Sequence, residues 1–523
     1  MRHPIRPHAP TTRSQLLAAA VLVALGTQLP AQLRFEQLGT PLPAALESSA
    51  ATKLGDLDGD GDLDLVCGNG RWPGEQNRIY RNDGRGVFLD ITPSSLPTSA
   101  EVTLAIALGD IDGDGDLDLV AGNYSWTSSA ESRLYRNDGN GVFTDITSTN
   151  LPALGDYTQT VKLGDVDGDG DLDLVVGGAS TYGASRPVQL FLNDGSGVFS
   201  DATASRMPAT PECTYDLAMG DVDGDGDLDI VVGTAYRHLN IYTQSWTEGS
   251  PNKLLLNDGT GTFTDGSSAL PANFQLTYAV ALGDVDADGD LDFIAGNVDE
   301  WYGWINFGAQ NRLLLNDGTG QFTNVTASNM PPSMAGALEL GDVDEDGDLD
   351  IVSSGLFLND GNGVFVDASA QVPATGGSAV ALGDVDGDGD LDRITASGPG
   401  TTTLASNLLR HLDAPATPVI GQSYQLDVYA RYGAPRLFDV AIPYVSFASA
   451  SLAVPSLGTV GIDLAQAAPL PPLLIPQPAG VASTSLAIPN NPVFVGVQLY
   501  VQALHVPYPL APRLSNTTRA VVQ

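Results

Sequence analysis

Short apolar runs closed by glycine, aspartate or asparagine recur along this chain in one order. Between residues 103 and 147 it reads "TLAIALGD", an aspartate-rich loop, "DLDLVAGN", "SRLYRND" and "GVFTDIT". Runs this short, with turn residues at their ends, predict four β-strands. The third and fourth are joined by "NDGNG", a tight-hairpin signal. "NDG" recurs at Asn82, Asn137, Asn193, Asn257, Asn316 and Asn359, and the aspartate loop recurs at spacings of 42 to 63 residues. That period fits one propeller blade or a similar supersecondary unit.

The loop between the first two strands carries the candidate chemistry. Its first copy, "DLDGDGDLD", holds Asp56, Asp58, Asp60, Asp62 and Asp64. Alternating carboxylates followed by Gly61, which permits a sharp turn, let nine residues fold around one hard cation, with oxygens from positions 1, 3, 5 and 9 and a backbone carbonyl at position 7. The same register returns at Asp110, Asp112, Asp114, Asp116 and Asp118; at Asp165, Asp167, Asp169, Asp171 and Asp173; and at Asp221, Asp223, Asp225, Asp227 and Asp229. It continues at Asp284, Asp286, Asp288, Asp290 and Asp292; at Asp342, Asp344, Asp346, Asp348 and Asp350; and at Asp384, Asp386, Asp388, Asp390 and Asp392. Oxygen-only ligands without nearby His or Cys favour calcium, about seven ions in all. An EF-hand is excluded, because it needs Glu at position 12 and flanking helices, whereas Cys67 stands there between strand-like runs.

The seventh unit has its loop and a third-strand candidate, "SNLLRHL", but neither "NDG" nor a fourth strand. Near the N-terminus "LRFEQLGTPLP" resembles the fourth strand of an ordinary unit, "GVFTDITSTNLP". A strand supplied from the other end would close a ring and remove exposed edges. The expected fold is therefore all-β: a seven-bladed β-propeller over residues 32–413.

"LGDVDGDGDLDLVVG" followed by "LFLNDGSGVF" resembles the FG-GAP/VCBS repeats of bacterial secreted proteins, related to the integrin alpha-subunit propeller. The resemblance covers roughly residues 33 to 412. It implies that the loop aspartates bind calcium between the first two strands of each blade. It does not imply one activity, since the family includes adhesion proteins, lectins and some polysaccharide-degrading enzymes.

Charge sharpens the picture. The chain of 523 residues has a formal net charge of -40, and the aspartates of the seven loops are 35 of its 63 acidic residues. This acidity is a metal signature, and even with calcium bound it argues against nucleic acid or anionic membranes as partners. Residues 1–31, with Arg2, Arg6 and Arg13 before "LLAAAVLVAL" and Ala31 at a cleavage point, are expected to be a secretory signal peptide. No other run predicts a transmembrane segment, so a secreted or cell-surface location is expected. Cys67 and Cys213, in the first and fourth units, make no disulfide framework. From Ala414 to Gln523 Pro becomes frequent and charge nearly vanishes, which predicts a small C-terminal β-sandwich-like domain.

No nucleophile elbow, zinc motif or phosphate loop is present. Trp72, Trp126, Trp246, Trp301 and Trp304 all fall between second and third strands, on the face opposite the metal loops if strands alternate, and are the candidate ligand-binding residues. Tyr124, Tyr236, Tyr242 and Tyr302 fall there too, with Tyr157, Tyr215 and Tyr278 from interblade segments. Exposed, such rings suit recognition of a glycan or protein; buried, they pack loops onto blades. The expected function is a secreted calcium-binding module for binding or adhesion without catalysis. The alternatives are an extracellular polysaccharide lyase or hydrolase on the same scaffold, and a purely architectural surface protein.

Overall fold

The computed structural model describes Phe35, Glu36, Leu42 and the chain from Ser48 onward, except segments 71–72, 125–130, 155–156, 179–185, 210–212, 236, 241–244, 249–250, 273–275, 299–309, 374–378, 398–400, 408–411, 414–417, 421, 430–437, 448, 455–457, 463–466, 477–480, 496 and 506–512. The predicted signal peptide lies outside the described residues, as do Trp72, Trp126, Trp301 and Trp304 and Tyr236, Tyr242 and Tyr302. Among the described residues no helix is long and apolar enough to cross a membrane.

The repeat folds as its pattern predicts, into antiparallel sheets of four strands. In the second unit these are Val102–Gly109, Asp118–Tyr124, Arg133–Asn137 and Phe143–Asp145, paired in chain order. Among the described residues seven such sheets are present, arranged as the blades of a β-propeller. Second strands such as "DLVCGN" are buried at every position, because neighbouring blades cover both faces. Each cohesive core lies between two successive blades. Between the second and third, Val120, Leu134 and Leu154 meet Leu174, Phe191 and Phe199. Fully burying each such side chain is worth about 1.5–3 kcal/mol, so stability resides at the interblade seams.

The ends of the array meet in the same way. Phe35–Glu36 pairs antiparallel with Thr401–Asn407 as the fourth strand of the seventh sheet, with Phe35 opposite Asn407. That register repeats the first blade, where Phe88 stands opposite Asn82. A core of Leu65, Cys67, Tyr80 and Phe88 with Ala381, Val385, Ile394 and Leu404 joins the first blade to the seventh.

The third strand of the seventh blade is Thr401–Asn407, which takes in Ser406 and Asn407 of the expected "SNLLRHL"; residues 408–411 of that run lie outside the described residues. In this register Asn407 N reaches Asp392 Oδ1, at 2.8 Å, as its counterparts do elsewhere. In the sixth blade the second and third strands turn at once, with Val352 opposite Leu356, as "VSSGLF" predicts.

The C-terminal region is also β-structure. Ser423–Tyr429 pairs with Val481–Ala487 and with Leu412–Asp413, just ahead of the expected boundary at Ala414. Phe438–Ser446 and Gln498–His505 anchor a second sheet, and Leu426, Val428, Ala441, Ile475 and Val501 form a core between the two.

Candidate metal centres

Each aspartate loop leaves the innermost strand at a glycine and returns through a buried aspartate. In the first copy, Asp56 receives two backbone N–H groups, from Gly59 at 2.8 Å and Gly61 at 3.0 Å, which winds the loop tightly. Asp60 Oδ1 accepts from Asp62 N at 3.0 Å. Asp64 braces the closing end: its Oδ2 accepts from Leu57 N at 3.1 Å and its Oδ1 from Asn82 N at 2.8 Å.

The structure brings positions 1, 3 and 9 together. One oxygen each from Asp56, Asp58 and Asp64 lies within 4.8 Å of the others, and the same holds for Asp110, Asp112 and Asp118, for Asp165, Asp167 and Asp173, and for Asp284, Asp286 and Asp292. In the fourth loop Asp221, Asp223 and Asp225 group in this way, which brings in position 5. Position 7 is different. The carboxylates of Asp62, Asp116, Asp171, Asp227, Asp290 and Asp348 lie where a Cβ on the "NDG" glycine would be, at Gly84, Gly139, Gly195, Gly259, Gly318 and Gly361. A Cβ there would displace the carboxylate, and each of these glycines holds a φ of 73° to 77°, which favours glycine. The position-7 side chain thus seats the hairpin beside the loop, and its backbone carbonyl remains the group that the spacing assigns to a cation.

The donor set fits a hard cation on a specific ground. Asp58 Oδ1, Asp112 Oδ1, Asp167 Oδ1, Asp223 Oδ1 and Asp286 Oδ1 are buried and accept no hydrogen bond. A buried carboxylate oxygen without a partner is costly, and the cost recurs at position 3 of five loops. A divalent ion held by these oxygens removes it. Burial also pushes the carboxyls of Asp64, Asp118, Asp173, Asp229 and Asp292 up to about 6 and Asp350 up to about 7, against the downward pull of their backbone N–H partners. A bound cation would favour the charged form instead.

The first asparagine of "NDG", read from sequence only as turn chemistry, has a second role. Asn82 Nδ2 donates to Leu63 O of its own loop at 3.1 Å and to Val385 O of the seventh loop at 2.7 Å. Asn137, Asn193, Asn257, Asn316 and Asn359 likewise reach position 2 of the preceding loop, at Leu57 O, Ile111 O, Val166 O, Val222 O and Val285 O, over 2.7 to 2.9 Å. Asn407 completes the set with Val343 O at 2.9 Å, although its unit lacks "DG". Each loop is therefore tied to the next blade, and whatever orders the loop orders the seam. The signal was an Asn ending the third strand in all seven units.

Of the candidate tryptophans, Trp246 lies in a hairpin of Arg237–Asn240 and Ser245–Glu248, opposite Leu239 and inserted between the second and third strands of the fourth blade. Tyr124 and Tyr157 meet edge to face at 5.3 Å between ring centres. Tyr215 and Tyr278 lie 4.5 Å apart at a tilt of 48°, on innermost strands rather than interblade segments.

The chain is 31% identical over 165 residues to cartilage acidic protein 1 of Mus musculus, a match covering 30% of this chain and 24% of that protein, so it spans about a quarter of that relative's length. Among solved structures it is similar to the Bombyx mori GH32 beta-fructofuranosidase BmSUC1, at 9% identity and TM-score 0.31, over 93% of this chain and 89% of the other. A tetra-tandem repeat in the extending region of a large adhesion protein matches at 12% identity and TM-score 0.15, over 90% and 98% of the two chains. The FG-GAP-like repeat model matches residues 56–121, 124–176, 178–232, 241–295 and 299–353, and the FG-GAP repeat model matches residues 103–142. With more than half of its length in these repeats, the chain belongs to the FG-GAP-like repeat family.

Proposed function

We propose that this protein is an exported binding or adhesion module, stabilised by calcium in its seven aspartate loops, that engages a glycan or protein ligand on the face opposite the metals and catalyses no reaction. In this reading residues 1–31 direct export, residues 32–413 form a closed seven-bladed ring and residues 414–523 form a separate β-rich domain. FG-GAP repeats are themselves a binding-module signature. One observation carries the choice of face. The loops and "NDG" hairpins gather at one end of the strands, whereas the hairpin bearing Trp246 leaves a second strand at its far end, from Thr234. A rigid base with an uneven opposite face suits recognition, because loops on a fixed scaffold vary without disturbing the core.

The test is binding of the calcium-loaded protein to glycan and protein arrays. A variant carrying Trp246→Ala, Trp301→Ala and Trp304→Ala should lose binding and keep its calcium-dependent melting. New reducing ends or unsaturated products from a polysaccharide panel would replace this reading with catalysis. Failure to bind any arrayed ligand would remove it.

A further inference from the structure

The innermost strands of all seven blades surround an axial cavity of about 160 Å³. Its walls come from residues at least three positions ahead of each metal loop. In five blades the pairing of first and second strands slips by one residue there, at Ala50, Leu104, Gln159, Tyr215 and Tyr278. Each of these bulged residues lines the cavity. A β-bulge re-aims one side chain out of the regular pleat, so each of these five blades presents one extra residue to the axis.

The repeat also supplies its own reference. Three residues before each loop, four blades carry alanine, at Ala107, Ala218, Ala281 and Ala381. The other three carry Lys53, Lys162 and Glu339, all of which line the cavity. Five residues before the loop, five blades carry alanine, and Thr160 and Asp216 depart from it. Packing needs only the small residue, as the other blades demonstrate, so the charged departures call for another explanation.

These departures form two pairs. Lys53 Nζ lies 3.3 Å from Glu339 Oε1, reaching past the seventh blade, and Lys162 Nζ lies 3.7 Å from Asp216 Oδ1. Asp216 is held further by Thr160 Oγ1 at 3.1 Å and Val280 N at 3.0 Å. Two of the chain's three lysines thus stand in one cavity of a protein with net charge -40, and with their partners they leave that wall neutral. Beside them Tyr215 and Tyr278 pack ring against ring.

We propose that this cavity binds one neutral sugar residue at the tip of a glycan, with hydroxyls bridging the two ion pairs and a tyrosine ring against the sugar's C–H face. The volume is close to the roughly 150 Å³ of a protein cavity that takes one six-membered ring, so there is room for a single sugar ring. Fixed ammonium and carboxylate groups offer both donors and acceptors to a polyol, as charge-assisted hydrogen bonds. A neutral wall gives no advantage to a polyanion or a metal ion. This site rests on the reading of the protein as a binding module and names a location and ligand class within it.

Saturation-transfer NMR on the full calcium-loaded chain tests it, with free glucose, galactose, mannose, N-acetylglucosamine and glucuronate as probes. At least one neutral sugar should receive saturation. The double variant Lys53→Ala with Tyr278→Ala should weaken it by about tenfold or more. Both changes install residues that other blades carry at the same positions, so melting should be unchanged; should the pair melt early, Lys53→Ala alone must still weaken binding. No saturation of any neutral sugar, saturation of glucuronate alone, or undiminished binding by a stably folded variant would overturn the proposal. Array binding that survives in these variants would overturn the axial site and leave the binding-module reading standing.

Discussion

Position 4 of the aspartate loop holds a left-handed backbone, with φ of 74° to 78° at Gly59, Gly113, Gly168, Gly224 and Gly387. Two loops place other residues there: Ala287 at 60° and Glu345 at 58°. A side chain in this region crowds its own backbone by about 1–2 kcal/mol, partly offset by the greater freedom glycine has in the unfolded chain. Ala287→Gly should therefore stabilise the protein by about 0.5–1 kcal/mol, read as a higher denaturant midpoint at fixed calcium. Ala287 is the cleaner site because Glu345 also adds a carboxylate to an acidic loop. Neither strain is visible in the residue type alone; it follows from aligning the seven loops and from the φ that the turn imposes.

At the scale of the element, loop and hairpin act as one unit. Position 9 aspartates buried beneath the loop have carboxyls raised above the ordinary value of 3.8, to about 6 at Asp64, Asp118, Asp173, Asp229 and Asp292 and about 7 at Asp350. Without metal, the native state then holds protons that the unfolded chain has already released. Metal-free stability is thus greatest below about pH 4, falls as pH rises to about 6 or 7, and levels off above. Calcium needs the deprotonated groups, so its contribution grows across the same window. With calcium tenfold above its dissociation constant, each site adds about 1.4 kcal/mol. Melting curves at pH 4 and pH 7 with calcium or excess chelator check this. Chelation should lower the melting temperature greatly at pH 7 and far less at pH 4; an unchanged curve at pH 7 would remove calcium from the loops.

For the whole molecule, closure and cover are the decisive features. Phe35 is fully buried with Val352, Leu356 and Ala405, at the seam between the sixth and seventh blades. Phe35→Ala should cost about 3–5 kcal/mol, and deletion of residues 33–39 should expose the seventh blade's edge and cause aggregation. Cover singles out the seventh loop. Position 5 is exposed in the other six loops, whereas Asp388 is 1% exposed, and Asp386, Asp390 and Asp392 are buried with it. Beside that loop the first blade's hairpin hydrogen-bonds Val385 O through Gly86 N at 2.8 Å and sets Arg85 over the Tyr500 ring of the C-terminal sheet at 6.0 Å. Deleting residues 414–523 should therefore leave the propeller folded and open one loop. Stopped-flow chelation, read by a lanthanide probe, should show one slow site in the full chain and none in the truncated one.

The sequence alone determined the strands, the loop register and the source of the closing strand, because each rests on a local signal. Alternating carboxylates, "NDG" turns and short bounded apolar runs are readable without knowing what they pack against. The tertiary structure decided what depends on neighbours distant in the chain. It made Asn82 and its six counterparts into ties between blades, since their acceptors lie in the preceding loop. It buried one loop of seven identical in pattern. It also turned Lys53, Lys162, Asp216 and Glu339, which are scattered charges in the sequence, into the wall of one axial cavity. Interblade hydrogen bonds, cover and axial proximity arise only when the blades are arranged about an axis, and no window of the sequence shorter than the whole repeat array contains that information.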